Sequence, residues 1–327
     1  MGNLFSNMKK QLKRVDRSIV FPESLDERIL LAVGKLSAEG LMTPILIGEK
    51  EKIIKKGNEL GVNLSACRII NPRNYSRTDQ MVELLVKRRS GKVTSEQAYT
   101  LLLDENYFST MLVYLDEADG MISGAIHATS DTVRPALQII KTKEGISKTS
   151  GLFIMEREEE TYVFADCAIN IAPTSQELAE IAITSAKTAE IFGLTPRVAM
   201  LSFSTKGSAK SPETDKVIEA LKLAKEMDQD VLIDGEFQFD AAFVPSVAEK
   251  KAPNSPIKGN ANVFIFPNLE AGNIGYKIAQ RLGQFEAIGP ILQGLNKPVN
   301  DLSRGCSTED VYKLAMITAM QTIQLDQ

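Results

Sequence analysis

Apolar residues in this chain come in short β-rich runs, separated by longer stretches with helical spacing. Ser18–Pro22 reads as a strand, and Asp26–Glu39 as a helix closed by Gly40. Pro44–Gly48 is the next strand, followed by a Lys-rich helix to Gly61 and a third strand at Arg68–Asn71. The spacing then predicts helices over Thr78–Arg89, Ser95–Asp104, Tyr107–Leu115 and Thr132–Ile140. Gly151–Met155 and Thr161–Ala165 flank a polar run at Glu156–Glu160 and predict a hairpin. Ser175–Phe192 is a helix with Ser175 as candidate N-cap and Gly193 just past its end. Arg197–Phe203 has a buried-strand pattern, Thr214–Glu226 is helical, and Val231–Asp234 and Val263–Phe266 read as strands. Gly275–Leu282 is helix-patterned, and a last helix starts at Ser307 and runs to Gln327.

Alternating strands and helices predict parallel βαβ units and an open α/β sheet. A chain of 327 residues is long for one core, which predicts two lobes. The expected division is residues 1–143 with 292–327 as a discontinuous first lobe, and 144–291 as the second. A cleft between two such lobes is a usual home for a ligand.

Composition narrows the classes. Hydrophobic residues make up 43% and charged residues 24%, ordinary for a soluble globular protein. The net charge of −4 implies no broad basic face, so nucleic acid is not an expected partner. Local Arg and Lys clusters then point to a phosphorylated small molecule. No apolar run approaches the roughly 20 residues that span a bilayer, so no membrane role is expected. The basic N-terminus lacks the apolar stretch of a signal peptide. Its Met-Gly-Asn-Leu-Phe-Ser start fits a myristoylation pattern, or more simply a helical lead-in to the first strand. Three cysteines without a C-x-x-C pair indicate neither a zinc site nor a disulfide framework, and a reducing cytoplasm is the simplest compartment.

Two clusters carry candidate chemistry. Asp301-Leu-Ser303-Arg304-Gly305 stands directly before the last helix, with Asp310 one turn inside it. A guanidinium fork suits phosphate oxygens, and helix N-termini favour anions. Asp310 has two readings: general base for a thiol or hydroxyl, or the acidic member of a capping box with Ser307. Ser303-Arg304-Gly305 has a plainer reading as a turn in which Asp301 caps locally and Arg304 is a surface residue. The second cluster runs from Asp119 to Pro135 and holds the one histidine, His127. Small residues at Ser123, Gly124 and Ala125 would admit a ligand close to the backbone. Thr129, Ser130 and Asp131 are candidates to cap the following helix and place its N-terminus at an anion. The plainer reading makes Ser130 or Asp131 an N-cap and His127 a satisfied buried imidazole. Lys87–Lys92 is a basic run at a helix end, either a solvated terminus or a partner for a multiply phosphorylated ligand. No G-x-S-x-G elbow, G-x-G-x-x-G or P-loop is present, which argues against a serine triad, nicotinamide or nucleoside triphosphate.

Several segments together resemble the phosphate acetyltransferase, or phosphotransacetylase, family: DGMISGAIHATSDTVRPALQIIKT (Asp119–Thr142), FADCAINIAP (Phe164–Pro173), ANVFIFPNLEAGNIGYKIAQRL (Ala261–Leu282) and GPILQGLNKPVNDLSRGCSTED (Gly289–Asp310). VFPESLDERIL near the start and FSTKGSAKSP (Phe203–Pro212) extend the likeness over practically the whole chain. The resemblance implies a two-lobe α/β fold of the isocitrate/isopropylmalate dehydrogenase type, with mostly parallel sheets, an interdomain cleft and commonly a homodimer. It implies the short, catalytic-domain form, a place in acetate metabolism, and the reaction acetyl-CoA + phosphate ⇌ CoA + acetyl phosphate, without a metal or other cofactor. By motif, Asp310 is the expected base for the CoA thiol, Ser303 a hydrogen-bond donor near the reacting acetyl group, and Arg304 the phosphate ligand. Arg134 matches an arginine tied to CoA or phosphate binding, and Arg88 matches another, with Arg89 as its rival. Cys167 matches a cysteine near the site that is not the nucleophile. The alternatives are phosphate butyryltransferase or another phosphate acyltransferase, and a non-catalytic CoA- or phosphate-binding module. An NAD-dependent decarboxylating dehydrogenase lacks the metal-binding aspartates and nucleotide loop it would need.

Overall fold

A computed structural model describes residues 3–323. The chain separates into two compact units, residues 3–143 with 295–323 and residues 144–294. The first opens with α1 (Asn3–Leu12), then β1 (Ser18–Phe21), α2 (Glu27–Ala38), β2 (Thr43–Ile47), α3 (Lys50–Glu59) and β3 (Arg68–Ile70). After these come α4 (Thr78–Arg88), α5 (Ser95–Leu101), α6 (Glu105–Tyr114), β4 (Gly120–Ser123) and α7 (Thr129–Pro135). Helix starts follow cap chemistry: Asp26 accepts a hydrogen bond from the Arg28 backbone N–H at 2.9 Å, and Thr94 and Gln97 form a capping box at α5.

The predicted helix at Thr132–Ile140 is two elements. The α-helix starts earlier, at Thr129, and contains Pro135, which offers no N–H to the preceding turn. Beyond it the backbone widens into a π turn at Ala136–Ile140, closed by the Lys141 N–H on the Ala136 carbonyl at 3.0 Å.

The second unit contains β5 (Ser150–Arg157) and β6 (Glu160–Ala165), an antiparallel hairpin as the polar run between them predicts. It continues with α8 (Ser175–Ile191), β7 (Val198–Leu201), α9 (Pro212–Met227) and β8 (Ile233–Phe237). Helices α10 (Phe239–Phe243) and α11 (Pro245–Lys251), strand β9 (Val263–Ile265), α12 (Leu269–Arg281) and β10 (Glu286–Gln293) complete it. The N-cap of α8 is Thr174, not Ser175: its hydroxyl accepts from the Glu177 N–H while Glu177 accepts from the Thr174 N–H at 2.8 Å. Strand order is β10-β5-β6-β9-β7-β8. The β10/β5 and β5/β6 pairs are antiparallel, and the β6/β9, β9/β7 and β7/β8 pairs are parallel. Phe153, Phe164, Phe237 and Phe264 lie in its core.

The chain then re-enters the first unit with β11 (Val299–Asp301) and α13 (Thr308–Ile323). Residues 324–327, where the last helix was expected to end, lie outside the described residues. All pairs in the first sheet are parallel, in the order β11-β4-β1-β2-β3. Helix α13 is nearly all buried, so both of its faces pack. Among the described residues, no helix is long and apolar enough to cross a membrane.

Candidate functional site

In the first sheet the chain steps from β1 outward to β2 and β3, then adds β4 on the other flank of β1. The order therefore reverses between β1 and β4, and open α/β sheets bind ligands at the carboxyl ends of strands at such a reversal. The segments leaving β1, β4 and β11 there are Pro22–Asp26, Gly124–Ala128 and Leu302–Ser307.

Glu23, directly after β1, organises the β4 segment. It is almost fully buried. Its Oε2 accepts from the backbone N–H of Gly124 at 3.0 Å and Ala125 at 2.8 Å, and Oε1 from Ile126 at 2.7 Å and His127 at 2.9 Å. The His127 Nδ1 lies 2.9 Å from the same Oε1. Four backbone donors on one carboxylate fix the loop and offset the cost of burying the charge. His127 is thus held by a carboxylate, as a satisfied imidazole requires, but its side chain is 32% exposed and not buried as that reading had it.

Arg28, in the first turn of α2, joins the β4 and β11 segments. Its Nη1 donates to the Arg304 carbonyl at 2.8 Å and the Cys306 carbonyl at 3.1 Å, and its Nη2 donates to the Ala125 carbonyl at 2.8 Å. Asp26 receives its Nε at 3.0 Å and Nη2 at 2.8 Å. The guanidinium beside Asp26 holds that carboxyl below the usual range, against burial that pushes it up.

Gly124 lets the two segments meet. Its φ is +111°, and a Cβ there would stand 2.4 Å from Asp301 Oδ1 and 2.5 Å from the Leu302 carbonyl oxygen. Asp301 is not a surface cap: it ends β11, is 2% exposed, and burial pushes its carboxyl up to about 6, opposed by the Thr129 and Thr132 hydroxyls.

Beyond it, Ser303, Arg304 and Gly305 are exposed in a tight turn, with the Cys306 N–H on the Ser303 carbonyl at 2.9 Å and the Gly305 N–H on Ser303 Oγ at 3.2 Å. Asp310 is exposed one turn into α13. The capping box predicted with Ser307 is present: Asp310 Oδ2 accepts from Ser307 N at 2.8 Å and Ser307 Oγ at 2.9 Å. Burial pushes the Cys306 thiol up to about 11, so it is neutral at physiological pH.

The remaining candidates divide. Thr129 is exposed at the start of α7, where the Asp131 carboxylate already receives the Ala128 N–H at 3.3 Å. The helix start thus has an anion of its own, but neither Ser130 nor Asp131 is its N-cap: that position is Ala128, and Asp131 reaches back to it from the third helical residue. Arg134 is exposed on the same helix. Arg134 and Arg89 both act on Tyr107, whose hydroxyl pKa burial raises and their charges oppose. Arg88 is engaged elsewhere: its Nε donates to the Ile139 carbonyl at 2.5 Å, its Nη2 to the Ile140 carbonyl at 2.9 Å, and its guanidinium lies over the Tyr114 ring. These bonds cover the end of the π turn. The Nε of Arg89, by contrast, is buried with no hydrogen-bond partner.

Two candidates are buried in this structure. Ser123 is fully buried inside β4, with no surface to offer. Cys167 is fully buried in the core of the second unit against Gly272, and desolvation raises its thiol pKa well above the ordinary value. Glu23 and Arg28 are the important residues that sequence reasoning missed. The available signal was the charged stretch from Glu23 to Arg28, between the first strand and the first turn of α2. Among the described residues, no group of three or more His, Cys, Asp or Glu side chains is arranged to hold a metal ion.

The segment leaving β11 beside the sheet reversal carries the exposed Ser303-Arg304-Gly305 turn, with the exposed carboxylate of Asp310 in the first turn of α13. Residues 3–319 match the model of the phosphate acetyl/butaryl transferase family, to which this chain belongs. It is 66% identical over 323 residues to the phosphate acetyltransferase of Bacillus subtilis (strain 168), covering 99% of this chain and 100% of that one. Among solved structures it is similar to a phosphotransacetylase from Streptococcus pyogenes, with a TM-score of 0.96 at 58% identity and 98% of each chain covered. The EutD phosphotransacetylase from Staphylococcus aureus matches with a TM-score of 0.94 at 56% identity, again over 98% of each chain.

Proposed function

We propose that this chain is a phosphate acetyltransferase, moving acetyl reversibly between CoA and inorganic phosphate. The observation that carries this reading is the exposed Ser303-Arg304 turn at the sheet reversal, with Asp310 seven residues after Ser303 at the start of α13. The names of the close relatives support acetyl over longer acyl groups.

In the forward direction Asp310 takes the proton of the CoA thiol as sulfur attacks the acetyl carbon of acetyl phosphate. The S–C bond forms, the carbonyl becomes a tetrahedral oxyanion, and the C–O bond to phosphorus then breaks. Phosphate leaves with the electron pair, gripped by the Arg304 fork. Ser303 donates to the oxyanion, a contribution typically of ~3–4 kcal/mol for one preorganised donor. A thiol with pKa near about 8.5 is mostly protonated at neutral pH, which is why the base matters. Two substrates held together supply much of the remaining acceleration, so the reaction runs through a ternary complex and no acetyl-enzyme. Base, oxyanion donor and phosphate ligand are all side chains, so the reading requires no metal or cofactor.

Arg134 and Arg89 bind the phosphates of CoA. Arg89 replaces Arg88 in this role because the Arg88 guanidinium is committed to the Ile139 and Ile140 carbonyls. Thr129 lines the approach at the start of α7. The working form is a homodimer in the cytoplasm, joined through α12. Ile274, Ile278 and Leu282 recur every four residues on that helix and are 58%, 53% and 82% exposed. Phe203 and Phe239 border a cavity of about 610 Å³ beside them.

The test is CoA-dependent consumption of acetyl phosphate by the intact protein, compared with propionyl and butyryl phosphate. Acetyl-CoA formation with a preference for acetyl is expected. Preference for butyryl would favour the butyryltransferase, and binding without turnover would leave only a binding module.

A further inference from the structure

We infer that Arg28 is a positioning residue for the phosphate-handling turn: it contacts no substrate, yet fixes where Arg304 stands. The inference rests on the phosphate role proposed for Arg304.

A guanidinium has five N–H donors in a fixed planar fork. In Arg28 all five are matched by protein acceptors. Nε goes to Asp26 Oδ1 at 3.0 Å. Nη2 goes to Asp26 Oδ2 at 2.8 Å and the Ala125 carbonyl at 2.8 Å. Nη1 goes to the carbonyls of Arg304 at 2.8 Å and Cys306 at 3.1 Å. A saturated fork leaves no donor for an anion, which separates Arg28 from a ligand-binding arginine.

Its three carbonyl partners belong to the segments that leave β4 and β11. The Arg304 carbonyl is the backbone of the residue that would hold phosphate, so the bond from Arg28 sets the origin from which that side chain projects. Arg28 is itself aimed by Asp26, which caps α2 and grips the fork through two oxygens. Among the described residues, no other hydrogen bond ties the exposed Ser303–Gly305 turn to α2. A lysine at position 28 would present three donors from one point and could not span Asp26, Ala125 and both turn carbonyls.

The expected signature is a split between substrates. The turn serves the phosphate side of the reaction, whereas the CoA phosphates are assigned to Arg89 and Arg134. Arg28→Lys is therefore expected to lower kcat/KM for acetyl phosphate by about 10- to 100-fold, the scale of an ångström-size misplacement of a catalytic group. The KM for CoA should stay near the parent value, and the fall in thermal midpoint that the lost bonds bring should leave that selectivity intact. Asp26→Asn, which leaves the arginine but weakens its grip, should give a smaller loss of the same kind. In Arg28→Ala, added guanidinium ion should restore part of the acetyl phosphate rate, and ammonium should not.

Parent-like kcat/KM for acetyl phosphate in Arg28→Lys would overturn the inference. So would equal losses toward both substrates with a lowered thermal midpoint, because a purely structural arginine predicts that pattern. If Arg28→Lys fails to fold, Asp26→Asn carries the same test: no selective loss toward acetyl phosphate there would overturn it. Arg304→Ala is run alongside. Full activity in that variant would remove the phosphate role of Arg304, whereas its inactivation beside a parent-like Arg28→Lys would remove the positioning role alone.

Discussion

Asp310 and Ser307 exchange hydrogen bonds at the start of α13. The carboxylate Oδ2 accepts from both the Ser307 N–H and hydroxyl, at 2.8 and 2.9 Å, and Ser307 Oγ accepts the Asp310 N–H at 3.2 Å. One carboxylate oxygen is thus committed to the helix while Oδ1 takes no part in the exchange. The capping role thus leaves Oδ1 for the proton abstraction proposed for Asp310. Asp310→Asn can keep an oxygen on the Ser307 N–H but has no basic carboxylate. Turnover should fall by about 10²- to 10⁴-fold with little change in unfolding midpoint. Ser307→Ala should show the reverse, a loss of about 1 kcal/mol in stability with turnover largely retained. Steady-state kinetics and urea unfolding on both variants check this, and near-parent turnover in Asp310→Asn would remove it as the base.

Asp301 predicts a pH dependence of stability. Burial pushes its carboxyl up to about 6 in the fold, from an ordinary value of about 3.9. Below both values folded and unfolded chains are equally protonated and the group contributes nothing. As pH rises between them, the unfolded chain loses its proton first and the fold is penalised. Above both, the cost is complete and on the order of 2–3 kcal/mol. Asp301→Asn stays neutral throughout. It should therefore gain stability on the parent near neutral pH and lose that advantage near pH 4. Urea midpoints of both proteins across that range decide it; parallel curves would show that Asp301 ionises normally.

Arg88 and Arg89 are adjacent in sequence and should fail differently. Arg88→Gln loses the bonds to the Ile139 and Ile140 carbonyls. Hydrogen bonds from charged donors are worth about 1.5–3 kcal/mol each, so a drop in thermal midpoint is expected. Arg89→Gln should keep the midpoint and raise the KM for CoA about tenfold, the equivalent of one charge-assisted contact. A CoA defect confined to Arg88→Gln would return the role to that residue.

Which features could be read from sequence depends on how local their causes are. Helix α2 was legible because Asp26 caps a regular apolar period, and the β5–β6 hairpin because a polar run divides two apolar ones. Strand β8 was placed too early, since Gly235 and Glu236 look like strand breakers. The glycine is there because a Cβ would lie 2.7 Å from Met200 Cβ on the neighbouring strand. Strands β4 and β11, four and three residues long, were hidden among glycines and polar residues whose burial only the assembled sheet explains. Ser303, Arg304 and Asp310 stood out because they are close together in the chain. Glu23 and Arg28 did not, because Glu23 meets its partners 101 to 104 residues away and Arg28 meets the turn 276 to 278 residues away.

The apolar stripe on α12 leads to the last prediction. Ile274, Ile278 and Leu282 lie one turn apart on one side of the helix, and each is more than half exposed. Leaving such side chains in water forgoes roughly 1.5–3 kcal/mol apiece, which a second copy of the chain would recover. The helix also carries buried Gly272, packed against the Asp166 carbonyl, so its opposite side is already occupied. Ile278→Asp places a charge at the centre of the stripe without touching that packing. An unpaired charge cannot be buried cheaply, so the variant should stay folded but sediment as a monomer at micromolar concentration, where the parent sediments as a dimer. Sedimentation velocity separates the two species directly. A parent that is already monomeric would remove the homodimer, and a variant that remains dimeric would move the interface off α12.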